Sequence, residues 1–314
     1  MATTNKVLRY FRCVSDNNPF DLESLISFCR EQVGTVGESE WRQAGEVIRI
    51  QHYRQENHGV LLHFVRYVPG ESSDTLTPGA ESEEDNEEPY PAPQGMEYKD
   101  GDFFMYCCGH DVIGTAHGRS MHHSKITQYL KYYLQIGTTD NINPEGIEYS
   151  FKLSTALNLE KYRVIERHGV SRVEFSASAY NASYYEHGHH ENWFRRYVLQ
   201  ATADAVKNRL GRYDDESQMT AMEDLIVEGT VKLKGNTRAN DIAKSQLREI
   251  AEEAIEDDGI VIYTHDGEPL RSFDMRLQTK ASVERYGKSV YYDSVWVKLK
   301  AYYRKLEGDR LLGQ

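Results

Sequence analysis

Polar and apolar residues alternate over Val7–Val14, the period of a strand with one buried face. Asn18-Pro19-Phe20-Asp21 then opens a helix carrying Leu22, Leu25, Ile26 and Phe28 on one side. Val47–Tyr53 and Gly59–Val68 alternate around the polar turn Arg54–His58, which predicts a hairpin. Phe103–Cys108 and Asp111–Thr115 repeat the pattern on a smaller scale about Gly109-His110. Ser120 can cap a helix reaching about Leu134, with Ile126, Tyr129, Leu130, Tyr133 and Leu134 in one stripe.

In the second half the spacing predicts a helix over Leu153–His168, closed by Gly169, and a strand over Val170–Ser176. Phe194–Arg212 has Phe194, Tyr197, Val198, Ala201, Ala205 and Leu210 along one helical face. Leu225–Lys234 alternates as a strand, and Asn240–Asp257 is amphipathic with Ala243, Leu247, Ile250, Ala251 and Ala254 inside. Gly259–Leu277 reads as strand–turn–strand, turning at His265-Asp266-Gly267. Asp293 can cap a last helix with Val295, Leu299, Tyr302, Tyr303 and Leu306 inward. Strands come in hairpins and clusters rather than in βαβ alternation, so the fold class is α+β, with antiparallel sheets and packed helices. Two lobes are expected, 1–136 and 147–314, divided at the Gly137–Gly146 loop.

Composition then narrows the class. No run approaches the ~20 apolar residues of a membrane span, and the N-terminus lacks the apolar core of a signal peptide. Four cysteines, two of them adjacent, make no disulfide framework, so a cytoplasmic location is expected. The net charge of −12 is concentrated. Gly70–Gly95 holds eight acidic residues and no basic one, and without it 41 acidic side chains face 37 basic ones. This stretch, rich in Glu, Pro, Ser and Gly, reads as a flexible acidic insert. It is either a solvated loop or an acidic strand that lies over a basic surface and competes with an anionic partner. The near-neutral remainder leaves such a partner open.

Histidines cluster at His117, His122 and His123 and at His187, His189 and His190, near Cys107, Cys108 and His110. Their spacing is not that of a zinc site, which takes spaced Cys or His pairs. Cys107 and Cys108, adjacent in a strand, must point to opposite faces. No metal and no cofactor is therefore expected. His117–Lys125 ends a hairpin and opens a helix, which is either a basic, capped first turn or a phosphate-receptive helix start. Neither a P-loop nor a G-x-G-x-x-G occurs. No G-x-S-x-G and no catalytic cysteine signature is present, so an enzyme is not the leading expectation. Basic residues interleave with aromatics on several helices, most densely over Tyr286–Gln314. Such faces are either solvated surfaces or phosphate contacts, since Lys and Arg neutralise phosphates without reading sequence.

Three stretches resemble the RexA family of phage-exclusion proteins. They are Gly101-Asp-Phe-Phe-Met-Tyr with Asp111-Val-Ile-Gly-Thr-Ala and Ile126-Thr-Gln-Tyr-Leu; Leu153–Ser176; and Ile260–Leu277 followed by the helix ending in Tyr302-Tyr303. Their order covers roughly the C-terminal two-thirds of the chain, while the acidic insert and the histidine-rich Tyr184–Trp193 depart from it. The resemblance implies a homodimeric anti-phage (abortive-infection) protein that binds double-stranded DNA with little sequence preference and signals to a partner effector, with a membrane protein as the candidate effector. Family contacts do not transfer by position, so the basic residues are chosen from this sequence: Arg119, Lys125, Arg195, Arg196, Lys298, Lys300, Arg304 and Lys305. The alternative is a toxin-like, metal-dependent nuclease drawing on His117, His122, Glu148 or His187.

Overall fold

A computed structural model describes residues 2–15, 20–43, 45–75, 88–116, 121, 123–139, 149–178, 226–233, 241–254, 260–267 and 269–313. Along the chain these form β1 (Ala2–Ser15), α1 (Leu22–Gln32), β2 (Trp41–Gln43), β3 (Glu46–Gln55), β4 (Val60–Tyr67), β5 (Ser72–Thr75), β6 (Glu88–Pro91), β7 (Lys99–Cys108), β8 (Asp111–Ala116), α2 (His123–Thr138) and β9 (Phe151–Thr155). Next come α3 (Leu159–His168), β10 (Val170–Ser178), β11 (Ile226–Lys232), α4 (Asp241–Ala254), β12 (Ile260–Thr264), β13 (Pro269–Arg271) and α5 (Ser272–Met275). The chain closes with β14 (Gln278–Tyr286), β15 (Ser289–Val290) and α6 (Tyr292–Gly308). The fold is α+β, and every strand pair among the described residues is antiparallel. No helix among them is long and apolar enough to cross a membrane.

The chain divides into two compact units, but not at 137–146. One unit is Met1–Ala156 together with Gln278–Gln314, and Leu157–Leu277 is inserted between its parts. The reason is β1, which pairs with β14 over Ala2–Arg9, with β8 over Val7–Arg12 and with β9 over Phe11–Ser15. A strand more than 260 residues away thus completes the sheet around the first.

That nine-stranded sheet has the order β15-β14-β1-β8-β7-β4-β3-β2, with β9 also on β1. On one face Phe11, Ile48, Ile50, Leu62, Phe64, Phe103, Met105 and Val112 meet Leu22, Ile26 and Cys29 of α1 and Ile126, Tyr129, Leu130, Tyr133 and Leu134 of α2. Asp21 caps α1, accepting from the Ser24 N–H at 2.7 Å. The Glu23 carboxylate then accepts from the N–H groups of Gly59 and Gly109, each at 2.8 Å, tying both predicted hairpin turns to the helix start. Gly137 lets α2 approach α1, because a Cβ there would lie 2.5 Å from the Cys29 sulfur.

The alternate residues Leu8, Tyr10, Leu61, His63, Phe104, Tyr106 and Ile113 are buried on the other face. There α6 runs across β7, β8 and β14. Its buried stripe is Val295, Trp296, Leu299, Tyr302 and Leu306. The Trp296 indole N–H donates to the Leu62 carbonyl at 3.4 Å, and the Tyr303 ring meets Tyr106 edge-on at 5.2 Å. The expected separation of the adjacent cysteines holds, with Cys107 in the α1–α2 core and Cys108 against Tyr106 and Tyr303.

In the inserted unit, β11-β10-β12-β13 form a four-stranded sheet. Val173, Phe175, Ile260, Ile262 and Leu270 pack with Ile165 of α3 and Leu247, Ile250 and Ala251 of α4. The helix expected over Leu153–His168 is in fact two elements. Phe151, Leu153 and Thr155 alternate as β9, and α3 begins only after Asn158, whose side chain accepts from the N–H groups of Glu160 and Lys161. Gly169 ends it as expected, at φ +66°.

Two further expectations change. Asp293 does not cap α6: Tyr291 stands at that position, and the Asp293 carboxylate instead accepts from Arg54 at 2.8 Å. Nor is Gly70–Gly95 loop throughout, since Ser72–Thr75 and Glu88–Pro91 pair as β5 and β6. Residues 76–87 between them, and the helix expected over Phe194–Arg212, lie outside the described residues.

Candidate nucleic-acid interface

The 3.6-residue period that buries one side of α6 turns Val297, Lys298, Ala301, Arg304 and Lys305 outward. Lys298, Arg304 and Lys305 have no ion-pair partner among the described residues. Lys298 and Lys305 stand seven residues apart, about 10 Å along the axis at 1.5 Å each, so the three cations form a short row on the helix. Over Gln278–Gln314 the chain carries eight Lys or Arg against four Asp or Glu, the reverse of the balance of the whole protein. Val297, 58% exposed, and Ala301 keep the centre of the face low and apolar.

The hairpin of β14 and β15 adjoins the N-terminal end of α6, where the Tyr291 N–H donates to the Glu284 carbonyl at 3.0 Å. Tyr286 pairs with Ser289 around a turn at Gly287-Lys288, where Gly287 takes φ +54°. Arg285, Tyr286, Lys288 and Tyr291 are all exposed, and the rings of Tyr286 and Tyr291 touch with centroids 4.6 Å apart. Beside them the Arg54 guanidinium lies over the Trp296 ring at 4.9 Å while donating to Asp293.

Of the eight basic residues chosen from sequence, Lys298, Arg304 and Lys305 come together on this face. Lys300 sits on its flank and donates to both oxygens of Glu56, at 2.6 and 2.8 Å. Lys125 turns inward, with a side chain 14% exposed, to Glu46. Glu46 also accepts from Arg66, which in turn reaches Asp100. Burial pushes the Lys125 ammonium below its ordinary pKa. Arg119, Arg195 and Arg196 lie outside the described residues, as do His117, His122, Glu148 and His187 of the nuclease alternative. Among the described residues no three His, Cys, Asp or Glu side chains gather as a metal site.

Arg285, Tyr286, Lys288 and Tyr291 were not among the residues chosen from sequence. The signal for them was the Tyr286-Gly287-Lys288 turn, which puts its neighbours at the tip of a hairpin rather than in a core.

Beneath the start of α6 the sheet carries an unusual group. His63 is stacked against Phe104 at 4.2 Å and against His52 at 5.3 Å, and His52 is stacked on Tyr292 at 4.1 Å. Neither ring nitrogen of His63 has a hydrogen-bond partner among the described residues. Burial pushes its pKa down to about 3, against the pull of Asp102, so the ring is neutral at physiological pH. Asp102 accepts from Lys6 at 3.4 Å and Lys99 at 3.1 Å. Burial acts to raise its pKa, but the two ammonium groups outweigh it and hold the carboxyl below its usual range. Cys13 and Cys29 are pushed up to about 12 by burial and stay as inert thiols.

No protein-family model matches the chain, and no curated protein matches it.

Proposed function

We propose that this protein binds DNA along the outer face of α6, through phosphates and with little sequence preference, as a sensor or regulator rather than an enzyme. One observation carries the reading. Among the described residues of the larger unit, Lys6, Arg42, Arg49, Arg54, Arg66, Lys99, Lys125 and Lys300 each hold a carboxylate, whereas Lys298, Arg304 and Lys305 hold none there and share one exposed helix face. Unpaired cations in a row raise the local potential, and releasing counterions from DNA turns that potential into affinity. Side chains that meet only phosphates position a duplex without reading its bases. The defence setting, the homodimer and a membrane-protein effector belong to the same proposal through the RexA-like stretches.

The test is fluorescence anisotropy with a labelled 20-base-pair duplex across a salt series. The expected plot of log affinity against log salt is linear, with a slope of about −3 to −5 for three to five phosphate contacts. A protein with no affinity for DNA at 50 mM salt would refute the reading.

A further inference from the structure

Resting on that reading, we infer that Tyr286 and Tyr291 form a stacking platform that makes this face prefer DNA with unpaired bases over fully paired duplex. The two rings are 53% and 43% exposed, whereas Tyr302 of the same segment is buried. Keeping tyrosine rings in water forfeits the burial that usually stabilises them, so an open pair at one spot is a feature with a use. The rings meet at 4.6 Å with planes tilted by 50°, and that tilt leaves them from covering one another as a parallel stack would.

The pair is also fixed in place. The Tyr291 N–H donates to the Glu284 carbonyl at 3.0 Å, and the Glu284 N–H donates to Ser294 Oγ at 3.0 Å. These two bonds pin the hairpin to the first turn of α6, so the rings are held before any ligand arrives and little ordering cost remains. Arg285 and Lys288, exposed and without ion-pair partners among the described residues, stand beside the rings. The exposed Glu284 is the one carboxylate of this hairpin.

Duplex bases are already stacked on one another and show a protein only their edges. Single-stranded bases offer their faces, and every base has one, so stacking on tyrosine is strong yet tolerant of sequence. Tyrosines at the head of a cation row therefore match a strand whose phosphates follow α6 while a splayed base lies on the rings.

The experiment compares a labelled 20-nucleotide oligo-dT with the 20-base-pair duplex, by anisotropy at 50 and 150 mM salt. It uses the full chain as wild type, Tyr286→Ala/Tyr291→Ala, Tyr286→Phe/Tyr291→Phe, and Lys298→Glu/Arg304→Glu/Lys305→Glu. The alanine pair is expected to lose about tenfold or more on the single strand, from one stacked base, and under about twofold on the duplex. The phenylalanine pair keeps the stack and binds as wild type. Equal losses on both probes, or none on the single strand, overturn the platform while leaving phosphate binding intact. Wild type that binds neither probe removes the parent reading and the platform with it. A changed oligomeric state of the alanine pair on light scattering, with unchanged single-strand affinity, assigns the rings to a protein contact and equally overturns it.

Discussion

α2 and α6 lie against opposite faces of the same sheet, and both are rich in tyrosine and lysine, yet their cations meet different fates. On α2, Lys125 is drawn into a half-buried network with Glu46, Arg66 and Asp100, and Lys131 lies over the Phe151 ring at 5.9 Å. On α6, Lys300 alone finds a carboxylate among the described residues, while Lys298, Arg304 and Lys305 face solvent. A basic, aromatic helix is thus not one kind of object. Where neighbouring strands supply carboxylates, the charge serves the fold; where they do not, it is available to a partner.

The sharpest way to break this contrast is to reverse the free charges. Lys298→Glu/Arg304→Glu/Lys305→Glu is expected to weaken duplex binding by about 100-fold or more at 50 mM salt, because each reversal removes a phosphate contact. Its urea midpoint should stay near that of wild type, since these side chains are exposed. Retained binding would show that the α6 face is not the interface.

The α6 side also carries the acid sensitivity. His63 is neutral when folded, with a pKa near 3, and protonates near 6.5 when unfolded. The unfolded state therefore binds more protons between those values, and stability is lost as pH falls from about 6.5. Between pH 7 and 4.5 this group alone should cost about 2–3 kcal/mol in urea unfolding. His63→Phe should flatten that loss, and an unchanged pH slope in the variant would place the sensitivity elsewhere.

On the other face, Lys125→Ala takes from half-buried Glu46 one of its two cations among the described residues, leaving it Arg66 alone, and should cost about 1–3 kcal/mol of stability with DNA affinity unmoved. A fall in affinity without a fall in stability would reverse the roles assigned to the two helices. The smallest expected effect comes from removing residues 76–87, with five of the eight carboxylates of the acidic stretch. Affinity should rise about two- to fivefold at 50 mM salt and return to wild type near 300 mM, as screening shortens the reach of those charges. Identical affinities at low salt would mean that the acidic stretch does not act on the α6 face.

Much of the fold was legible because its periods are strict. The stripes of α1, α2 and α6 and the hairpins β3–β4 and β7–β8 repeat at 3.6 or at 2, and each forms where expected. β9 was misread because Phe151, Leu153 and Thr155 run on into the apolar residues of α3, and only the cap at Asn158 separates the two. The inserted unit had no local signal at all, since its borders are set by the pairing of β1 with β14. For the site, the cations of α6 could be found by spacing. That Lys125 and Lys300 are spoken for by Glu46 and Glu56 depends on strands brought together only by folding.

The pairing of Ala2–Arg9 with Gln278–Arg285 has a consequence during synthesis. On the ribosome the first strand emerges long before its partner, and one edge stays open until Gln278–Arg285 has been translated. Leu157–Leu277 is continuous and has every strand of its own sheet by then, so it can finish first. The waiting edge reads Ala-Thr-Thr-Asn-Lys-Val-Leu-Arg. Its threonines, asparagine and two cations are the composition that keeps an unpaired strand from recruiting a neighbouring nascent chain.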